Sequence, residues 1–317
     1  MKTRDFTIII PCMSFKDAKN CIKNIRKNYS KIKIIVSLNR ISSKIKKDKN
    51  LKIIVSKYRS IGKKRNIAAD ACKSKYLAFI DSDAYPAKNW IESTFRFLKK
   101  KNIGIIAGPH VDPITQSYSQ TVVGLVKKSF LITMLPKLQK QNTEKAQYAS
   151  FMPSANWILP RRFFYFLNQM DGKMLRNEDW DFVYKMKKTK YKLFYSPKTL
   201  VYHDNNTISH FIKKRFIYGF YMWPILTKLN FQNYYFFLPL IFAIFLTTLP
   251  FAFFFNQYLL FYLAILFVYF SVILWETFRL TKSFMSFFSI LFVLLAANIS
   301  PGFGILFGFF NFLNKKV

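Results

Sequence analysis

The charged residues and the apolar residues of this chain lie in different parts of its sequence. Residues 231–317 hold four of the 50 Lys and Arg residues and one of the 15 Asp and Glu residues. A stretch this apolar is stable in hydrocarbon, whereas the preceding 230 residues carry enough charge to face water. The sequence therefore predicts a water-facing domain followed by a membrane region. The 37 Phe residues and an apolar content of 51% exclude a disordered chain.

The apolar part contains three runs whose lengths are close to or above that needed to cross a hydrocarbon layer of ~30 Å. They cover residues 236–255, 258–275 and 284–313. Only Asn256 and Gln257 separate the first two runs, which predicts an antiparallel hairpin. Pro301 interrupts the third run, which is interpreted either as one span or as a re-entrant hairpin broken at that residue. We favour three spans.

The distribution of Lys and Arg predicts the orientation of these spans. Nearly all of these residues precede residue 231, and Arg279 and Lys282 follow the second run. Because Lys and Arg are enriched in cytoplasmic loops, both regions are expected on the cytoplasmic side. The N-terminal residues lack the apolar run and cleavage site of a signal peptide. We therefore expect a multi-pass protein of the inner (plasma) membrane, with a cytoplasmic N-terminal domain and three reduced Cys residues.

Two further segments mix aromatic and aliphatic residues with Lys and Arg at helical spacing, residues 121–138 and 210–229. Such helices either lie in the membrane interface, near anionic headgroups, or pack on a soluble core. The second leads directly into an apolar run, which favours the interface. The predicted organisation is a domain of residues 1–209, an interfacial segment of residues 210–234 and a transmembrane region of residues 235–317.

The beginning of the chain alternates between short apolar runs and segments with helical spacing. The predicted strands cover residues 6–10, 33–38, 52–55, 76–80 and 103–107, and the predicted helices cover residues 18–28, 62–72 and 90–100. Repeated β-α-β units of this length predict a largely parallel α/β sheet with helices on both faces. Ligands of such sheets bind beyond the carboxyl ends of the strands.

Two carboxylates, Asp81 and Asp83, follow the predicted strand at residues 76–80. Their oxygen ligands suit a divalent cation such as Mg²⁺ or Mn²⁺. The alternative is that they cap a helix or turn before Trp90, and the spacing alone does not decide between the two interpretations.

A second acidic cluster contains Glu178, Asp179 and Asp181. Acids after Asn177 are typical of the first turn of a helix, where the helix dipole stabilises them. The alternative is that one of these carboxylates acts as a general base beside a bound substrate.

Two more features are candidates for ligand contacts. His203 closes a β-rich segment, and it is either a metal ligand or a structural partner of Asp204. Residues 60–66 form a basic loop that enters a helix, with Gly62 inside it. Such a loop suits a phosphate, although a run of Lys and Arg is also typical of a solvated surface.

Taken together, these motifs resemble family 2 glycosyltransferases, which have the nucleotide-sugar-binding GT-A fold. The resemblance runs from about Thr7 to His203, and the residues that carry it are Ile8-Ile9-Ile10-Pro11, Gly62 with Arg65-Asn66, Asp81-Ser82-Asp83, Ser154-Ala155-Asn156 before Pro160-Arg161-Arg162, Gly172, Glu178-Asp179 and Val201-Tyr202-His203. The apolar tail also resembles that of bacterial members that act at the cytoplasmic face of the membrane. The fold class implied is a GT-A-like, mostly parallel α/β sheet with flanking helices, followed by C-terminal transmembrane helices.

The resemblance also implies a role for each matching residue. Asp179 would be the general base and Glu178 its neighbour. A metal ion, Mg²⁺ or Mn²⁺, would be held by Asp81, Asp83 and His203. The nucleotide sugar, most simply a UDP-sugar, would contact Pro11, Gly62, Arg65, Asn66, Asp81, Asp83 and Asn156. The acceptor would be lipid-linked or a cell-surface glycan, with the anionic membrane surface as a further partner and no nucleic acid.

One position departs from the family pattern. An acidic residue usually follows the second strand and contacts the base or ribose, but this chain has Asn39 there. The resemblance implies that Asn39 takes its place, which leaves the donor open. The predicted function is an inverting, metal-dependent transfer of a sugar. The alternatives are a phosphatase of the haloacid-dehalogenase type, which also places Asp-x-Asp after a strand, and a non-catalytic basic module bound to the membrane.

Overall fold

The protein is described from a computed structural model, in which the described residues are 1–41, 48–133, 145–228 and 237–314. These residues form two compact units. The first contains residues 1–113 and 137–204, and the second contains residues 114–136 and 205–317. Two parts of the predicted features lie outside the described residues. They are residues 134–138, which end the first amphipathic segment, and residues 229–236, where the second amphipathic segment leads into the first apolar run.

The first unit is built on an eight-stranded mixed sheet and a three-stranded sheet. In chain order the strands are β1 (Phe6–Pro11), β2 (Lys33–Leu38), β3 (Leu51–Val55), β4 (Tyr76–Ile80), β5 (Ala84–Pro86), β6 (Ile103–Ala107), β7 (His110–Val111), β8 (Gln147–Ala149), β9 (Asn156–Pro160), β10 (Lys192–Tyr195) and β11 (Val201–His203). The large sheet has the order β3-β2-β1-β4-β9-β6-β10-β8, and the small sheet has the order β5-β11-β7.

The predicted α/β class is confirmed, and the five predicted strands are all present. Strands β1 to β4 pair in parallel, as do β6 and β10. Strand β9 runs antiparallel between β4 and β6, so the sheet is mixed in its centre. Because β1 to β4 are parallel, their carboxyl ends lie along one edge of the sheet.

Among the described residues of the first two-thirds of the chain there are four further helices of this unit and one of the second. They are α1 (Phe15–Asn28), α2 (Ile61–Asp70), α3 (Tyr118–Val126, second unit), α4 (Arg161–Phe166) and α5 (Glu178–Lys187). Sequence signals explain the starts of two of them. Ser14 and Asp17 form a capping box at α1, and the Ser60 hydroxyl accepts the Lys63 N–H at α2.

The helix predicted for residues 90–100 is wrong. The segment consists of turns around a short 3₁₀ helix, Glu92–Thr94. The hydroxyl groups of Ser93 and Thr94 donate back to the carbonyls of Trp90 and Ile91, at 2.7 and 2.6 Å. Such side-chain bonds compete with the helical backbone pattern, and the buried side chains of Trp90 and Ile91 fix the turn to the core.

The second unit is helical. After α3 it contains α6 (Ile208–Phe220), α7 (Trp223–Lys228), α8 (Leu238–Ala252), α9 (Asn256–Leu280) and α10 (Phe284–Asn314). Within the described residues, two helices are long and apolar enough to cross a membrane, Gln257–Leu280 and Phe284–Asn314. The first predicted span appears as the 15-residue helix α8, which is shorter than the ~20 residues that a helical span needs.

The helix α10 is continuous through Pro301, and the choice between one span and a re-entrant segment stays a prediction. Proline lacks the N–H that would bond the carbonyl of Ala297, four residues earlier. In the structure the Nε of Arg215, on α6, donates to this carbonyl at 3.0 Å. The neighbouring helix therefore replaces the bond that proline removes, as is usual for proline inside apolar helices.

Helices α6 and α10 lie in close backbone contact. A Cβ atom placed on Gly304 would lie 2.2 Å from the carbonyl oxygen of Phe216, and one on Gly308 would lie 2.3 Å from that of Phe220. Side chains larger than hydrogen at these two positions would separate the helices. Helix α6 thus packs within its unit, and the interfacial placement of residues 210–234 stays a prediction.

Candidate active site

The candidate metal ligands lie together beyond the end of β4. The antiparallel pairing of β5 with β11 sets His203 opposite Ala84, directly after Asp83. One ligand atom each from Asp81, Asp83 and His203 lies within 4.8 Å of the others, and His203 Nε2 is 3.4 Å from Asp83 Oδ1. The backbone N–H of Asp204 donates to the Asp83 carbonyl at 2.9 Å, which ties the two strands at this point.

This donor set fits a divalent cation. Two carboxylates and one imidazole are ligands that Mn²⁺ and Mg²⁺ accept, and the Asp83 side chain is 44% exposed, so an ion can reach it. Of the alternative interpretation of Asp81 and Asp83, the helix cap is wrong, because β5 and not a helix follows them. The turn is present, since the Ala84 N–H donates to the Asp81 carbonyl at 3.1 Å.

The buried guanidinium of Arg65 connects this cluster to the second acidic cluster. Its Nη2 lies 2.8 Å from Asp81 Oδ1, and its Nη1 lies 3.1 Å from Glu178 Oε1. The same Nη1 donates to Ser154 Oγ at 2.9 Å. Arg65 is 1% exposed, so its ion pairs are formed away from solvent, where charge interactions are strong. Three distant parts of the chain therefore meet around one side chain.

The acidic pair begins helix α5. Burial, together with the nearby charge of Asp179, raises the pKa of Glu178 to about 7, and Arg65 opposes the shift. Burial also raises the pKa of Asp179, against the effects of Arg65 and of backbone N–H groups at Trp180 and Ser154. Both acids do lie in the first helical turn, as the structural alternative predicts. The preceding Asn177 has a left-handed backbone, with φ of 66°, and its side chain makes no capping bond.

Gly62 lies against the first of these acids. A Cβ atom on Gly62 would lie 3.1 Å from the Glu178 Cγ and 3.2 Å from the Met170 Cβ. The absence of a side chain at this position thus lets α2 approach the start of α5, and it brings Arg65 within reach of Glu178.

Two further candidates lie at the carboxyl ends of β1 and β2. Pro11 is the last residue of β1, and Asn39 follows β2. The Asn39 Nδ2 donates to the carbonyls of Ser56 and Tyr58, at 2.9 Å each. Its Oδ1 is buried and has no hydrogen-bond partner among the described residues. These contacts fix the orientation of the amide and leave its oxygen as an acceptor.

Two predicted nucleotide-sugar contacts have side chains bonded within the protein. The Asn66 amide donates to the Met170 carbonyl and accepts the Met170 N–H. The Asn156 amide accepts from Trp90 Nε1 and donates to the Thr199 carbonyl. The roles assigned to Asn66 and Asn156 in ligand binding stay predictions.

The structure adds residues that the sequence does not single out. The ring of His110 stacks on that of His203, with centroids 5.5 Å apart, although no motif marks His110. Lys64 is buried, and its Nζ donates to the Cys12 carbonyl at 2.7 Å, directly after β1. Burial lowers the pKa of Lys64. The basic loop is thus not a solvated charge run throughout, but only the fold reveals which of its cations are buried.

The chain is similar in sequence to known glycosyltransferases. The model of glycosyl transferase family 2 matches residues 7–166. A pre-mycofactocin glycosyltransferase from Mycobacterium tuberculosis is 25% identical over 164 residues, which cover 49% of this chain and 32% of that protein. The match thus spans about a third of the length of the curated relative.

A solved structure shows the same fold. The mannosyltransferase PcManGT from Pyrobaculum calidifontis, in complex with GDP-Man and Mn²⁺, has a TM-score of 0.53 at 13% identity, and the alignment covers 94% of this chain and 86% of that one. The S. aureus protein TarS 1-349 in complex with UDP has a TM-score of 0.43 at 14% identity, over 68% of this chain and 64% of that one. The GT-A-like fold class is confirmed.

Proposed function

The chain belongs to glycosyl transferase family 2, and from this premise we propose that it transfers a sugar, with inversion, from a nucleotide-diphosphate donor to an acceptor hydroxyl. The observation that carries the proposal is the Arg65 bridge, which joins the Asp81 side of the site to the acidic pair at 178–179. A donor held on one side of this bridge would place its anomeric carbon near a carboxylate on the other.

A divalent metal ion is part of the proposal. Asp81, Asp83 and His203 would hold it, and when bound it would offset charge that develops on the leaving diphosphate. PcManGT is in complex with GDP-Man and Mn²⁺, which supports a nucleotide sugar and a metal ion for this fold. Measuring transfer with each ion in turn distinguishes Mg²⁺ from Mn²⁺.

Asp179 is the general base of the proposed reaction. Its carboxylate would take the proton of the acceptor hydroxyl as that oxygen attacks the anomeric carbon from the face opposite the diphosphate. The carboxylate must be ionised for this step, so its raised pKa predicts that activity falls on the acid side. Glu178, the residue before Asp179, accepts a hydrogen bond from Arg65.

The contacts of Asn39 favour a base with a ring N–H. Because Nδ2 is bonded to two carbonyls, only Oδ1 is left as an acceptor. Uracil has such a donor at N3 and guanine at N1, whereas the adenine ring has none. A UDP-sugar is the proposed donor, and Pro11 would lie against the nucleotide.

The acceptor is proposed to be lipid-linked, or a cell-surface glycan precursor, at the cytoplasmic face of the inner membrane. Two helices long and apolar enough to span a bilayer support membrane attachment. The formal net charge of +35 supports contact with anionic lipid. A multi-pass arrangement with a cytoplasmic first unit follows from the positive-inside rule.

Calorimetry with UDP and Mn²⁺ on two variants tests the site. Asp83→Ala should lose metal-dependent UDP binding, since it removes one of the proposed ligands. Asp179→Asn should bind UDP normally and lose turnover in a screen of nucleotide sugars, because the amide cannot accept the proton. Unchanged affinity in the first variant, or full turnover in the second, contradicts the assignment.

Family membership decides against the phosphatase alternative. The basic, non-catalytic module differs from the transferase in its response to salt and metal. Binding that disappears as ionic strength rises and that ignores Mn²⁺ would favour the module.

A further inference from the structure

The loop before β9 supplies part of the surroundings of Asp179. The backbone N–H of Ser154 bonds to the Asp179 carboxylate, as does that of Trp180, the latter at 2.9 Å from Oδ1. One of these bonds is local to α5, whereas the other comes from a loop 25 residues earlier in the sequence. The carboxylate is therefore oriented correctly only if this loop stays against the start of α5.

A ring stack joins this loop to α5. The rings of Phe151 and Trp180 have centroids 3.8 Å apart and planes within 6° of parallel. Phe151 is three residues before Ser154, and Trp180 follows Asp179 directly. Phe151 is 8% exposed, so the stack is largely shielded from water. Two large rings packed in this way bury much apolar area, and their contact restricts the distance between their backbones.

Two further contacts hold the loop. Trp157 Nε1 donates to the Met152 carbonyl at 2.9 Å, which attaches the loop to β9. Arg65 Nη1, on α2, donates to Ser154 Oγ and to Glu178 Oε1, so this guanidinium also joins the loop to the start of α5. The stack is a second connection between the loop and α5, and together with Arg65 it keeps the Ser154 N–H against Asp179.

We propose that Phe151 and Trp180 are positioning residues, and that their stack holds the Ser154 N–H against the Asp179 carboxylate and so orients the general base. The inference rests on the proposed function, in which Asp179 is the base. The two rings would act through the carboxylate, since neither is among the proposed metal ligands or donor contacts. They should therefore affect turnover and its pH dependence, and leave donor binding unchanged.

The test compares Trp180→Leu with Trp180→Phe in the full-length, detergent-solubilised chain. Trp180→Leu loses the flat face and should lower kcat by about 10- to 100-fold, the range expected when a catalytic group moves by about 1 Å. Its KM for the donor should change by less than about threefold, since the donor contacts are separate. Trp180→Phe keeps a ring to stack on and should recover most of the activity.

The pH profile separates positioning from general loosening. A backbone N–H that bonds a carboxylate lowers its pKa. If Trp180→Leu withdraws the Ser154 N–H, the acid limb of kcat should move to higher pH. Tyr191→Leu is the matched control, because it removes a stack with Phe163, 4.7 Å between centroids, away from the acidic pair. It should lower thermal stability and leave the acid limb in place.

A second variant keeps the test informative if one protein folds poorly. Phe151→Leu should reproduce the effect of Trp180→Leu, and the double variant should lose little more than either single one. UDP binding by calorimetry reports that each variant is folded. Full kcat and an unshifted acid limb in folded Trp180→Leu and Phe151→Leu overturn the inference, as does a loss confined to donor KM. If Asp179→Asn itself keeps full turnover, the proposed function fails instead.

Discussion

At the scale of single residues, the site depends on side chains that neutralise one another away from water. The guanidinium of Arg65 contacts a carboxylate after β4, a carboxylate at the start of α5 and a hydroxyl before β9. A buried cation with fewer partners would be costly, because its desolvation would be uncompensated. Asp81 and Glu178 thus compensate the buried charge of Arg65, in addition to any role in ligand binding.

Glu178 should make stability depend on pH. Its pKa is about 7 in the folded protein and near 4.5 when unfolded, so folding favours the protonated form. The contribution is complete below pH 4.5 and is lost as the pH rises through 7, with a size of ~3 kcal/mol for a shift of this extent. Thermal unfolding from pH 5 to 8 should show the wild type losing stability relative to Glu178→Gln. A constant difference between the two proteins across this range contradicts the prediction.

Asn39 should recognise the base through its oxygen. Asn39→Ala removes the acceptor and should weaken UDP binding about tenfold, the typical cost of one hydrogen bond in a buried site. Asn39→Asp keeps an acceptor and should retain more affinity than the alanine variant, although it loses the bonds to Ser56 and Tyr58. Calorimetry with UDP, GDP and ADP measures both effects. Equal affinity of Asn39→Ala and wild type for UDP would show that the base lies elsewhere.

The residues found from sequence share one property. Asp81, Asp83 and Glu178 are local anomalies, since acids are scarce in a chain of net charge +35 and these ones follow strand or helix signals. The contribution of His110 depends on its contact with a distant segment, and its own neighbours in sequence carry no such signal. Sequence patterns therefore single out chemistry-bearing residues more readily than the residues packed around them.

At the scale of elements, periodicity identifies strands and helices but not their partners. The apolar runs at β1 to β4 and β6 predict buried strands, and the structure contains them. Nothing in the sequence of Asn156–Pro160 shows that it enters the centre of the sheet in the antiparallel direction. The same limit explains the error at residues 90–100, where two hydroxyl groups replace helical bonds.

The proline in α10 shows how a neighbouring element changes a local rule. Pro301 predicts a break, but Arg215 of α6 bonds the carbonyl that proline leaves without a partner. The residue that replaces the missing helical bond is thus 82 residues away in the sequence. The sequence of the apolar tail alone predicts only the break.

Arg215→Met should destabilise the second unit through this carbonyl. The buried Ala297 oxygen would lose its partner, at a cost of ~1–3 kcal/mol. In a Pro301→Ala background the helix regains its own N–H at this position, so Arg215→Met should cost less there. Thermal unfolding of the four proteins in detergent measures the difference.

Lys213→Met is the control for this cycle, since Lys213 is exposed on the same helix and should cost little. Equal costs of Arg215→Met with and without Pro301 would show that the guanidinium stabilises the unit in some other way.

At the scale of the whole molecule, charge and apolar surface are divided along the chain. Large apolar side chains on α9, such as Leu260, Phe267 and Trp275, are exposed by 72, 74 and 59%. Surfaces of this kind are covered by lipid or by protein. The remainder of the chain carries nearly all of the basic residues, which are soluble in water and attracted to anionic headgroups. Both halves together support the proposal of a membrane-attached transferase with a basic domain.

Lipid charge should therefore control transfer to a membrane-bound acceptor. In nanodiscs of phosphatidylglycerol the basic domain should lie close to the surface, and transfer to a lipid-linked acceptor should exceed that in nanodiscs of phosphatidylcholine several-fold. Raising the salt from 0.1 to 1 M shortens the Debye length from ~10 Å to ~3 Å, so the advantage should disappear. Transfer to a soluble acceptor is the control, because it needs no approach to the surface and should respond to salt equally in both lipids. An advantage that persists at 1 M salt, or that appears equally with the soluble acceptor, would mean that the charge acts on the active site and not on the membrane.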